Sequence, residues 1–424
     1  MKNKPDIDAR QFDLSASNYS IRSNCRLCLS SQLSVELSLP STPLANEFTR
    51  DPVSAASQAL FPLYLARCDQ CHHVQLPVVV DPERLFRNYV YVSGTSLSFV
   101  KHLQDQGREI VFKYLIPQQS LIVEIGSNDG TALLAYKELG MRVLGIDPAY
   151  DIAAAATRGG VRTIPEFFTR QLAETIQAKE GFAKVIIANN VFAHVDDLID
   201  IADGVALLLE PETGLFVFEV QYLIDMIENG YFDMIYHEHL SYHTIEPLKS
   251  FLELRGLSIV NVTRVKTHGG SIRVICRKGL PSPSEKVSVE EIIQGERDAL
   301  RTNPLNKISV MIEQAKEDLD QFFDEQGGVI WGFGAPAKLT TLFYGLGLDS
   351  NRFHAIIDDN PLKQNMFSPG KGIPIISKSR FLEIADDGSQ RILIFAWNFA
   401  SQIKAGFDDS RFTFFKPLPR LARV

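Results

Sequence analysis

Short apolar runs alternate with helix-like segments from Ser120 onward, and no other feature of the chain restricts its fold as strongly. Runs that are apolar throughout are typical of strands buried on both faces of a parallel sheet, and the segments between them fit crossover helices. The sequence therefore predicts an α/β fold. The first strands are predicted at 121–125, 143–146, 185–188 and 215–220.

The alternation starts a second time toward the C-terminus. Two β-rich runs, 257–265 and 271–277, fit an antiparallel edge of the first sheet. A charged helical connector follows over 287–326, and three further strands are predicted at 328–334, 354–359 and 391–397. Two βαβ systems thus give four predicted regions: a flexible lead-in at 1–24, a cysteine-containing module at 25–85, a central domain at 86–285 and a second α/β domain at 286–424.

Four of the five cysteines form two Cys-x-x-Cys pairs, Cys25 with Cys28 and Cys68 with Cys71. Four thiolates complete a closed tetrahedral zinc shell that leaves no position for a substrate, so the pairs predict a structural zinc site. Redox-active pairs or free thiols are the alternative, although a redox enzyme normally needs one such pair. The two histidines after Cys71 are candidate substitute ligands, but adjacent histidines lie on the surface more often than they bind metal.

A strand, a glycine turn and a helix are predicted around Glu124-Ile-Gly-Ser-Asn-Asp-Gly130. The spacing lacks the full Gly-x-Gly-x-x-Gly of a dinucleotide site. Asp147 ends the next strand, where a carboxylate can accept both ribose hydroxyls, and a third strand ends in two asparagines. The set predicts S-adenosylmethionine as ligand, against the alternative of an ordinary Rossmann-like core. The predicted cofactor-binding residues are Glu124, Gly126, Asn128, Asp147, Asn189 and Asn190.

The segment Tyr236-His237-Glu238-His239 follows the strand predicted at 215–220. An imidazole can take a proton near neutral pH, and a neighbouring carboxylate can hold the imidazolium, so the segment predicts a catalytic base. Metal binding by the two histidines is a weaker alternative because no third ligand is suitably spaced. A cluster without function is the remaining alternative. The sequence leaves open which of the two histidines is the base.

A second glycine turn, Gly332-Phe-Gly-Ala-Pro-Ala-Lys338, precedes another predicted helix. Backbone N–H groups at such a turn favour a phosphate or a similar anion, and Lys338 adds a cation. The turn therefore predicts a site for a phosphorylated ligand, with a purely structural turn as the alternative.

With these motifs the chain resembles the sugar C-methyltransferases of deoxysugar biosynthesis, which act at C-3 of nucleotide-linked 4-keto-6-deoxyhexoses. The resemblance runs from about Cys25 to the C-terminus. It rests on the paired cysteines, Tyr89-x-Tyr91-x-Ser93-Gly-Thr-Ser96, Glu124 to Gly130, Tyr236 to His239, Gly332 to Lys338, Ile357-Asp-Asp-Asn-Pro-Leu-Lys-Gln364 and Trp397-Asn-Phe399. It implies a zinc-binding module, a central S-adenosylmethionine-dependent Rossmann-like methyltransferase domain and a C-terminal Rossmann-like domain that binds the nucleotide sugar.

The resemblance also implies roles for individual residues. His239 is the expected base, and the residues expected around the reacting carbons are Tyr236, Glu238, His194 and Tyr91. The expected substrate-binding residues are Tyr89, Ser93, Gly334, Lys338, Asp358, Asn360 and Asn398. Methylation of carbon needs a carbanion equivalent, which the C-4 ketone of such a sugar allows once a base removes the C-3 proton and the enolate oxygen is stabilised.

Composition narrows the remaining classes. A net charge of -8 without charged blocks argues against a nucleic-acid partner. The chain has no apolar run of transmembrane length and no signal-peptide core, so we expect no membrane association and a cytoplasmic enzyme, a monomer or weak homo-oligomer. The resemblance implies a sugar linked to thymidine or guanosine diphosphate as the partner, and the sequence leaves open which of the two it is. The alternatives are an N- or O-methyltransferase of a related nucleotide sugar and a zinc-stabilised, non-catalytic binding protein.

Overall fold

The computed structural model describes residues 19–301 and 305–424. Its strands, numbered in chain order, are β1 Tyr19–Ile21, β2 Leu33–Thr42, β3 Phe61–Cys68, β4 Val74–Gln75, β5 Val78–Val80, β6 Leu121–Ile125, β7 Arg142–Ile146, β8 Thr163–Ile164, β9 Val185–Asn189, β10 Leu215–Gln221, β11 Ser241–Tyr242, β12 Leu257–Val265, β13 Ser271–Lys278, β14 Ile330–Phe333, β15 Phe353–Ile357, β16 Ile375–Ile376, β17 Gln390–Ile394, β18 Phe412–Lys416 and β19 Ala422–Arg423.

Most of the described α-helices are short. They are α1 Pro52–Ala56, α2 Pro82–Phe86, α3 Leu97–Lys113, α4 Thr131–Glu138, α5 Tyr150–Arg158, α6 Arg170–Glu180, α7 Leu198–Leu208, α8 Leu223–Asn229, α9 Ile245–Glu253, α10 Pro283–Leu300, α11 Leu305–Gln326, α12 Leu339–Gly345, α13 Lys378–Ile384 and α14 Ala400–Ala405. Within the described residues, no helix is long and apolar enough to cross a lipid bilayer.

The chain forms two compact units, each built from separated segments. Among the described residues, the first unit contains 19–34, Arg67–Ile224 and Leu240–Arg301. The second contains Val35–Ala66, Asp225–His239 and 305–424.

The first unit is organised by a seven-stranded sheet of order β12-β13-β10-β9-β6-β7-β8. Neighbouring strands from β10 through β8 are parallel, as the apolar runs predict. β6 is buried along its whole length, and the central strands share a core with α3 and α4 that includes Ile110, Ile122, Leu133, Tyr136 and Ile187. The sheet therefore has helices on its faces, and its polar strand ends gather at one edge.

The two β-rich runs form the predicted antiparallel edge of this sheet. β13 runs antiparallel to both β10 and β12, so β12 has the same direction as β10. β12 forms the edge, and β13 lies between β12 and β10. The physical reason is the connection: a helix, α9, precedes β12 as in any parallel crossover, whereas a short turn at Thr267–Gly269 returns β13 into the sheet.

The described end of the predicted flexible lead-in at 1–24 contains a strand. Residues 1–18 lie outside the described part of the chain, but β1 pairs with β5 through Tyr19 opposite Val80 and Ile21 opposite Val78. Three residues are too few to show a period in the sequence, so only the partner strand reveals them. A further sheet has the order β11-β4-β3-β2.

The second unit contains a six-stranded sheet of order β16-β15-β14-β17-β18-β19. All of its strand pairs are parallel except β18 with β19. Aromatic residues dominate its core, with Trp331, Phe333, Phe381, Phe412 and Phe414 buried together. This arrangement confirms a second Rossmann-like sheet, in which the ends of the three predicted strands are shifted by one to three residues.

The predicted helical connector contains two helices in the described part of the chain. α10 begins at a capping box, in which the Ser282 hydroxyl accepts a hydrogen bond from the Glu285 amide and the Glu285 carboxylate accepts one from the Ser282 amide. α11 follows from Leu305. Asn303-Pro304 marks the break in the sequence, because the residue before a proline is disfavoured in a helix.

Candidate active site and metal centre

The four paired cysteines lie together in the first unit. One ligand atom from each, Cys25, Cys28, Cys68 and Cys71, falls within 4.8 Å of all the others. The sulfurs of Cys25 and Cys71 are 3.5 Å apart, as are those of Cys28 and Cys68. Four sulfurs about 2.3 Å from a central ion would be separated by similar distances. The residues present therefore fit a tetrahedral Zn²⁺ without rearrangement.

The two cysteine pairs form matching knuckles. In the first, the Leu29 amide donates to the Cys25 carbonyl at 3.0 Å and Leu29 has a positive φ of 63°. In the second, the His72 amide donates to the Cys68 carbonyl at 2.9 Å and φ of His72 is 64°. The Leu27 amide also points at the Cys25 sulfur, at 3.4 Å. An amide that points at a sulfur stabilises the thiolate form. The backbone of the knuckles is therefore already arranged for metal binding without the ion.

The histidines beside the last cysteine are outside the sulfur cluster. His72 is exposed, as expected of adjacent histidines, but His73 is buried. The Nε2 of His73 lies 3.3 Å from the Ser241 hydroxyl. The expectation of two surface histidines is therefore wrong for His73, because the strand β4 that begins at the next residue turns its side chain inward.

The predicted donor pocket begins with a glycine turn at the end of β6. Gly126 has φ of 66°, and a Cβ there would lie 2.3 Å from Cγ2 of Val191, so only glycine fits. Gly130 has φ of 81° and stands at the N-cap of α4. Asn128, between them, also has a positive φ, of 49°. The turn thus presents closely spaced backbone at the carboxyl edge of the sheet, as predicted.

Asp147 closes this turn from the end of β7. One carboxylate oxygen accepts a hydrogen bond from the Asn128 amide at 2.8 Å, and the other accepts one from the Ala149 amide at 2.9 Å. Burial raises the pKa of Asp147, while these two amides oppose the shift. Each oxygen keeps a second lone pair, so the ribose role expected for Asp147 is compatible with its role in shaping the loop.

The tyrosine segment before α3 lies on the glycine turn. The Asn128 side chain donates to the Tyr91 carbonyl at 3.0 Å and accepts from the Ser93 amide at 2.9 Å. Burial raises the pKa of the Tyr91 hydroxyl to about 12, so it is a hydrogen-bond donor at neutral pH. The ring of Tyr89 lies 6.4 Å from that of Tyr91 and 5.8 Å from Phe86, whose ring is 5.8 Å from His194. The first unit thus brings these predicted residues together.

A buried polar network beside the turn contains residues that sequence reasoning missed. Gln106, fully buried on α3, exchanges two hydrogen bonds with the side chain of Asn189 at 2.9 and 3.1 Å. Its amide also donates to Glu219 at 2.8 Å. Glu219 accepts from Arg273 at 2.6 Å and contacts His102 at 2.7 Å. A carboxylate in the apolar run of β10 and a glutamine on the buried face of a helix were the only signals in the sequence.

Charge differs at the two ends of this network. Burial raises the pKa of Glu219, but the hydrogen bond from His102 and the charge of Arg273 outweigh it and hold the pKa below its usual range. Burial raises the pKa of Glu124 well above its usual range, with only a 3.4 Å hydrogen bond from Asn189 in opposition. The network therefore runs from an ionised carboxylate at Glu219 to a carboxyl group at Glu124 that favours its neutral form.

Asn190, next to Asn189, has a positive φ of 55° and starts the turn that carries His194.

The predicted catalytic segment lies in the second unit and is buried. Nδ1 of His239 is 2.8 Å from the Met234 carbonyl, which can only accept, so Nδ1 carries the proton and the lone pair is on Nε2. The rings of Tyr236 and His239 have centroids 4.1 Å apart. The Glu238 carboxylate accepts a hydrogen bond from the Asn46 side chain at 2.8 Å. This geometry fixes the tautomer that a base with Nε2 as its acceptor requires.

His237 has a different environment. Its Nε2 donates to the Pro62 carbonyl at 3.0 Å, and its ring packs edge-on against Phe61 at 5.6 Å. Burial lowers the pKa of His237 to about 4. The side chain thus anchors the segment as a neutral residue.

The second glycine turn repeats the construction of the first. Gly334 has φ of 86°, and a Cβ there would lie 2.6 Å from Cβ of Ala396. Asp358, at the end of the next strand, accepts from the Ala335 amide at 2.7 Å and from the Asn360 amide at 2.8 Å. Both oxygens of Asp358 therefore shape the turn.

Lys338 follows this turn but does not extend into solvent. Its Nζ donates to the Asn398 side chain at 3.1 Å, lies 3.8 Å from Asp233 and stands 3.5 Å above the Trp397 ring. Burial lowers the pKa of Lys338 to about 8, against the opposing charge of Asp233. Lys338 and Asn398, both expected to bind substrate, are therefore joined, and Asp233 is a partner that the sequence did not indicate.

The predicted site residues fall into two groups. The first unit holds the cysteines, all the predicted cofactor residues, and Tyr89, Tyr91, Ser93 and His194. The second unit holds Tyr236, Glu238, His239, Gly334, Lys338, Asp358, Asn360 and Asn398.

Comparison with known proteins adds evidence for three parts of the chain. Family models described as a zinc binding domain, a methyltransferase domain and a C-methyltransferase C-terminal domain match residues 25–86, 99–262 and 266–419. The C-methyltransferase NovU of Streptomyces niveus is 32% identical over 384 residues, which cover 89% of this chain and 90% of that protein.

Similar solved structures cover less of the chain. An S-adenosylmethionine-dependent methyltransferase of Clostridium acetobutylicum has a TM-score of 0.35 at 12% identity and covers 43% of this chain and 92% of its own. The PH0226 protein of Pyrococcus horikoshii has a TM-score of 0.37 at 13% identity, with 47% and 98% covered. The cofactors predicted from the sequence, S-adenosylmethionine and a structural zinc ion, agree with the family models and the cysteine cluster.

The sulfur cluster predicts about one zinc ion per chain, measured by mass spectrometry of the purified protein. Cys71→Ser should lose most of the metal because a hydroxyl is a poor fourth ligand. Cys276→Ser is the matched control, since Cys276 is buried outside the cluster, and it should retain the ion. A stable, metal-free wild-type protein would contradict the assignment.

Asp147→Ala should weaken the binding of S-adenosylmethionine by about 1.5 to 3 kcal/mol, the range for hydrogen bonds to a charged group. The loss combines a missing ribose acceptor with an unsupported Asn128 amide. Isothermal titration calorimetry measures it. Asp151→Ala removes an exposed charge from the adjacent helix and should leave the affinity unchanged; equal affinities for both variants would refute the placement.

Buried His243 predicts an acid-sensitive stability. Burial lowers its pKa to about 4, against about 6.5 in an unfolded chain. Between these values the unfolded state binds the extra proton, so stability is retained above pH 6.5 and falls as the pH is lowered toward 4. His243 contributes about 2 kcal/mol of the loss from pH 7 to pH 5.

Urea denaturation of wild type and His243→Gln at the two pH values measures this contribution. The variant should be less stable at pH 7 but should lose about 2 kcal/mol less than wild type on acidification. The same loss in both proteins would show that His243 does not titrate in this way.

Proposed function

Because this chain belongs to the S-adenosylmethionine-dependent C-methyltransferase family, we propose that it methylates C-3 of a nucleotide-linked 4-keto-6-deoxy sugar through an enolate generated by His239. The observation that carries the proposal is the tautomer of His239. The Met234 carbonyl holds the proton on Nδ1, which leaves Nε2 as the basic atom. A base in a fixed tautomer is what proton removal beside a ketone needs.

The proposed reaction begins with transfer of the C-3 proton to Nε2 of His239. The electron pair moves into the C-4 carbonyl and gives an enolate. C-3 of the enolate then forms a bond to the methyl carbon of S-adenosylmethionine, the bond from that carbon to sulfur breaks, and S-adenosylhomocysteine is the leaving group. Tyr236 or His194 donates a hydrogen bond to the developing oxyanion, worth about 3 kcal/mol in comparable enzymes. Zinc takes no part in these steps because its four thiolates leave no open position.

Glu238 is proposed to stabilise the imidazolium that forms on His239. Asn46 supports this role, because its side-chain amide donates to the Glu238 carboxylate and so fixes one oxygen. Lys363 is buried in the same unit, and its positive charge interacts favourably with Glu238 and Asp358. This interaction stabilises the ionised form of the Glu238 carboxylate. Asn46 lies in the predicted zinc module at 25–85, and Lys363 lies in the predicted C-terminal domain at 286–424.

We further propose that 25–85 is the zinc module, 86–285 the methyltransferase domain and 286–424 the nucleotide-sugar domain. Substrate binding by Tyr89, Ser93, Gly334, Lys338, Asp358, Asn360 and Asn398 belongs to this proposal, as does catalysis by Tyr91. The hydrogen bonds of Asp358 favour an indirect role, in which it shapes the turn and the backbone contacts the nucleotide.

His239→Asn should bind S-adenosylmethionine normally and lose roughly 100- to 10,000-fold in turnover, the usual contribution of a positioned base. Asparagine keeps a donor near the position of Nδ1 for the Met234 carbonyl and deletes only Nε2. His237→Gln is the matched control, since glutamine can still donate to the Pro62 carbonyl. Its turnover should stay within a few-fold of wild type.

Deuterium exchange at C-3 without S-adenosylmethionine, followed by mass spectrometry on a panel of 4-keto nucleotide sugars, identifies the step. Wild type and His237→Gln should exchange, and His239→Asn should not. Loss of deuterium exchange in His237→Gln alone would make His237 the base instead of His239. Deuterium exchange retained in both variants would assign the base to another residue, and His194 is the next candidate. Methyl transfer without any C-3 exchange would favour an N- or O-methyltransferase.

A further inference from the structure

A fully buried arginine lies inside the first zinc knuckle. Arg26 stands between Cys25 and Cys28, and none of its surface is exposed. It takes no part in the sulfur cluster or in the donor pocket. Burial of a guanidinium is costly unless its charge and its donors find partners, so the partners show what the residue holds.

Those partners come from distant parts of the first unit. Nη1 of Arg26 donates to the carbonyls of Leu76 at 2.8 Å and Leu240 at 3.1 Å. Nε donates to the Asp196 carboxylate at 3.1 Å, and Nη2 forms an ion pair with the same oxygen at 2.9 Å. The backbone amide of Arg26 donates to the Gln75 side chain at 2.9 Å. The base of the side chain is therefore fixed by the knuckle, and its tip joins three segments.

Two of these contacts border the turn 191–196, which we call the His194 turn. Asp196 is its last residue, two positions after His194. Leu240 reaches the same turn through its backbone, because the Ala193 carbonyl accepts from the amides of Leu240 at 2.8 Å and Ser241 at 3.0 Å. Within the turn, the His194 amide donates to the Val191 carbonyl at 2.8 Å.

We propose that Arg26 is a positioning residue through which the zinc knuckle fixes the His194 turn. Zinc bound by Cys25 and Cys28 holds the backbone on both sides of Arg26, and the rigid guanidinium transmits that position to Asp196 and Leu240. This inference rests on the proposed function, in which His194 lies near the reacting carbons. It gives the structural metal a consequence outside its own module.

Hydrogen–deuterium exchange of the full chain tests the coupling directly. In Arg26→Met, with zinc still near one ion per chain, the amides of His194, Leu240 and Ser241 should exchange at least about 10-fold faster than in wild type. Zinc removal from wild type by a chelator should have the same effect. Amides of β6 and β7 should be unchanged in both cases. Unchanged exchange at the His194 turn overturns the proposal.

Arg22→Met is the matched control. Arg22 also pairs with the Asp196 carboxylate, at 2.9 Å, and it donates to the backbone carbonyls of Asp196 and Asn24. Its loss should leave the three amides protected, and equal acceleration in both variants would show that Asp196 pairing alone, rather than Arg26, holds the turn. If Arg26→Met does not fold, Asp196→Asn removes the buried arginine's counter-charge from a partly exposed position and should accelerate exchange at His194; protection retained there also overturns the proposal.

Kinetics separate this inference from the proposed function. Arg26→Met should lower the turnover number about 10-fold or more while its affinity for S-adenosylmethionine stays within about twofold of wild type. Faster exchange with full turnover supports positioning by Arg26 but refutes a catalytic role of His194. Unchanged exchange refutes the positioning role whatever the enzyme methylates.

Discussion

A carboxylate at the end of a strand closes a glycine turn in each unit, and the two predicted ligand sites depend on this interaction. Asp147 accepts the amide of Asn128, and Asp358 accepts that of Ala335. In both cases the second oxygen accepts the amide two residues beyond the aspartate. Glycine residues leave the backbone of such a turn free to adopt several conformations. A carboxylate that accepts hydrogen bonds from the amides of the turn stabilises one of these conformations. The same acidic side chain therefore builds the turn before it can meet a ligand.

Buried charge organises what surrounds these turns. Glu219 remains ionised because a guanidinium and an imidazole contact it, and its charge orients the Gln106 amide, which must face it with N–H groups. That orientation fixes Asn189 in turn, since each amide must match the other's donors and acceptors. Asp233 in the second unit has Trp397 and Lys338 as comparable partners. Specific cores of this kind hold functional side chains more rigidly than apolar packing does.

Much of this architecture could be predicted from local sequence. The apolar runs of β6, β9 and β10 mark parallel strands because burial on both faces leaves little choice of residue, and the cysteine pairs mark a metal site because thiolates require that spacing. The partners of Glu219 could not be predicted, since Gln106 and Arg273 are more than 50 residues away in the chain and show no local pattern. Three-residue β1 and the inward turn of His73 depend on pairing with other strands, which a sequence window does not contain.

The interleaved path of the chain has a consequence for any attempt to cut this protein into parts. The second unit needs 35–66 and 225–239 as well as the C-terminal region, so a break at residue 285 would separate Asn46 and Pro62 from much of the unit to which they belong. Apolar residues such as Phe61, Leu63 and Leu65, now buried, would lose part of their packing and expose surface that promotes aggregation. During synthesis, residues 35–66 leave the ribosome long before the sheet of their own unit exists. The linear order of sequence motifs is thus a poor guide to which pieces can fold alone.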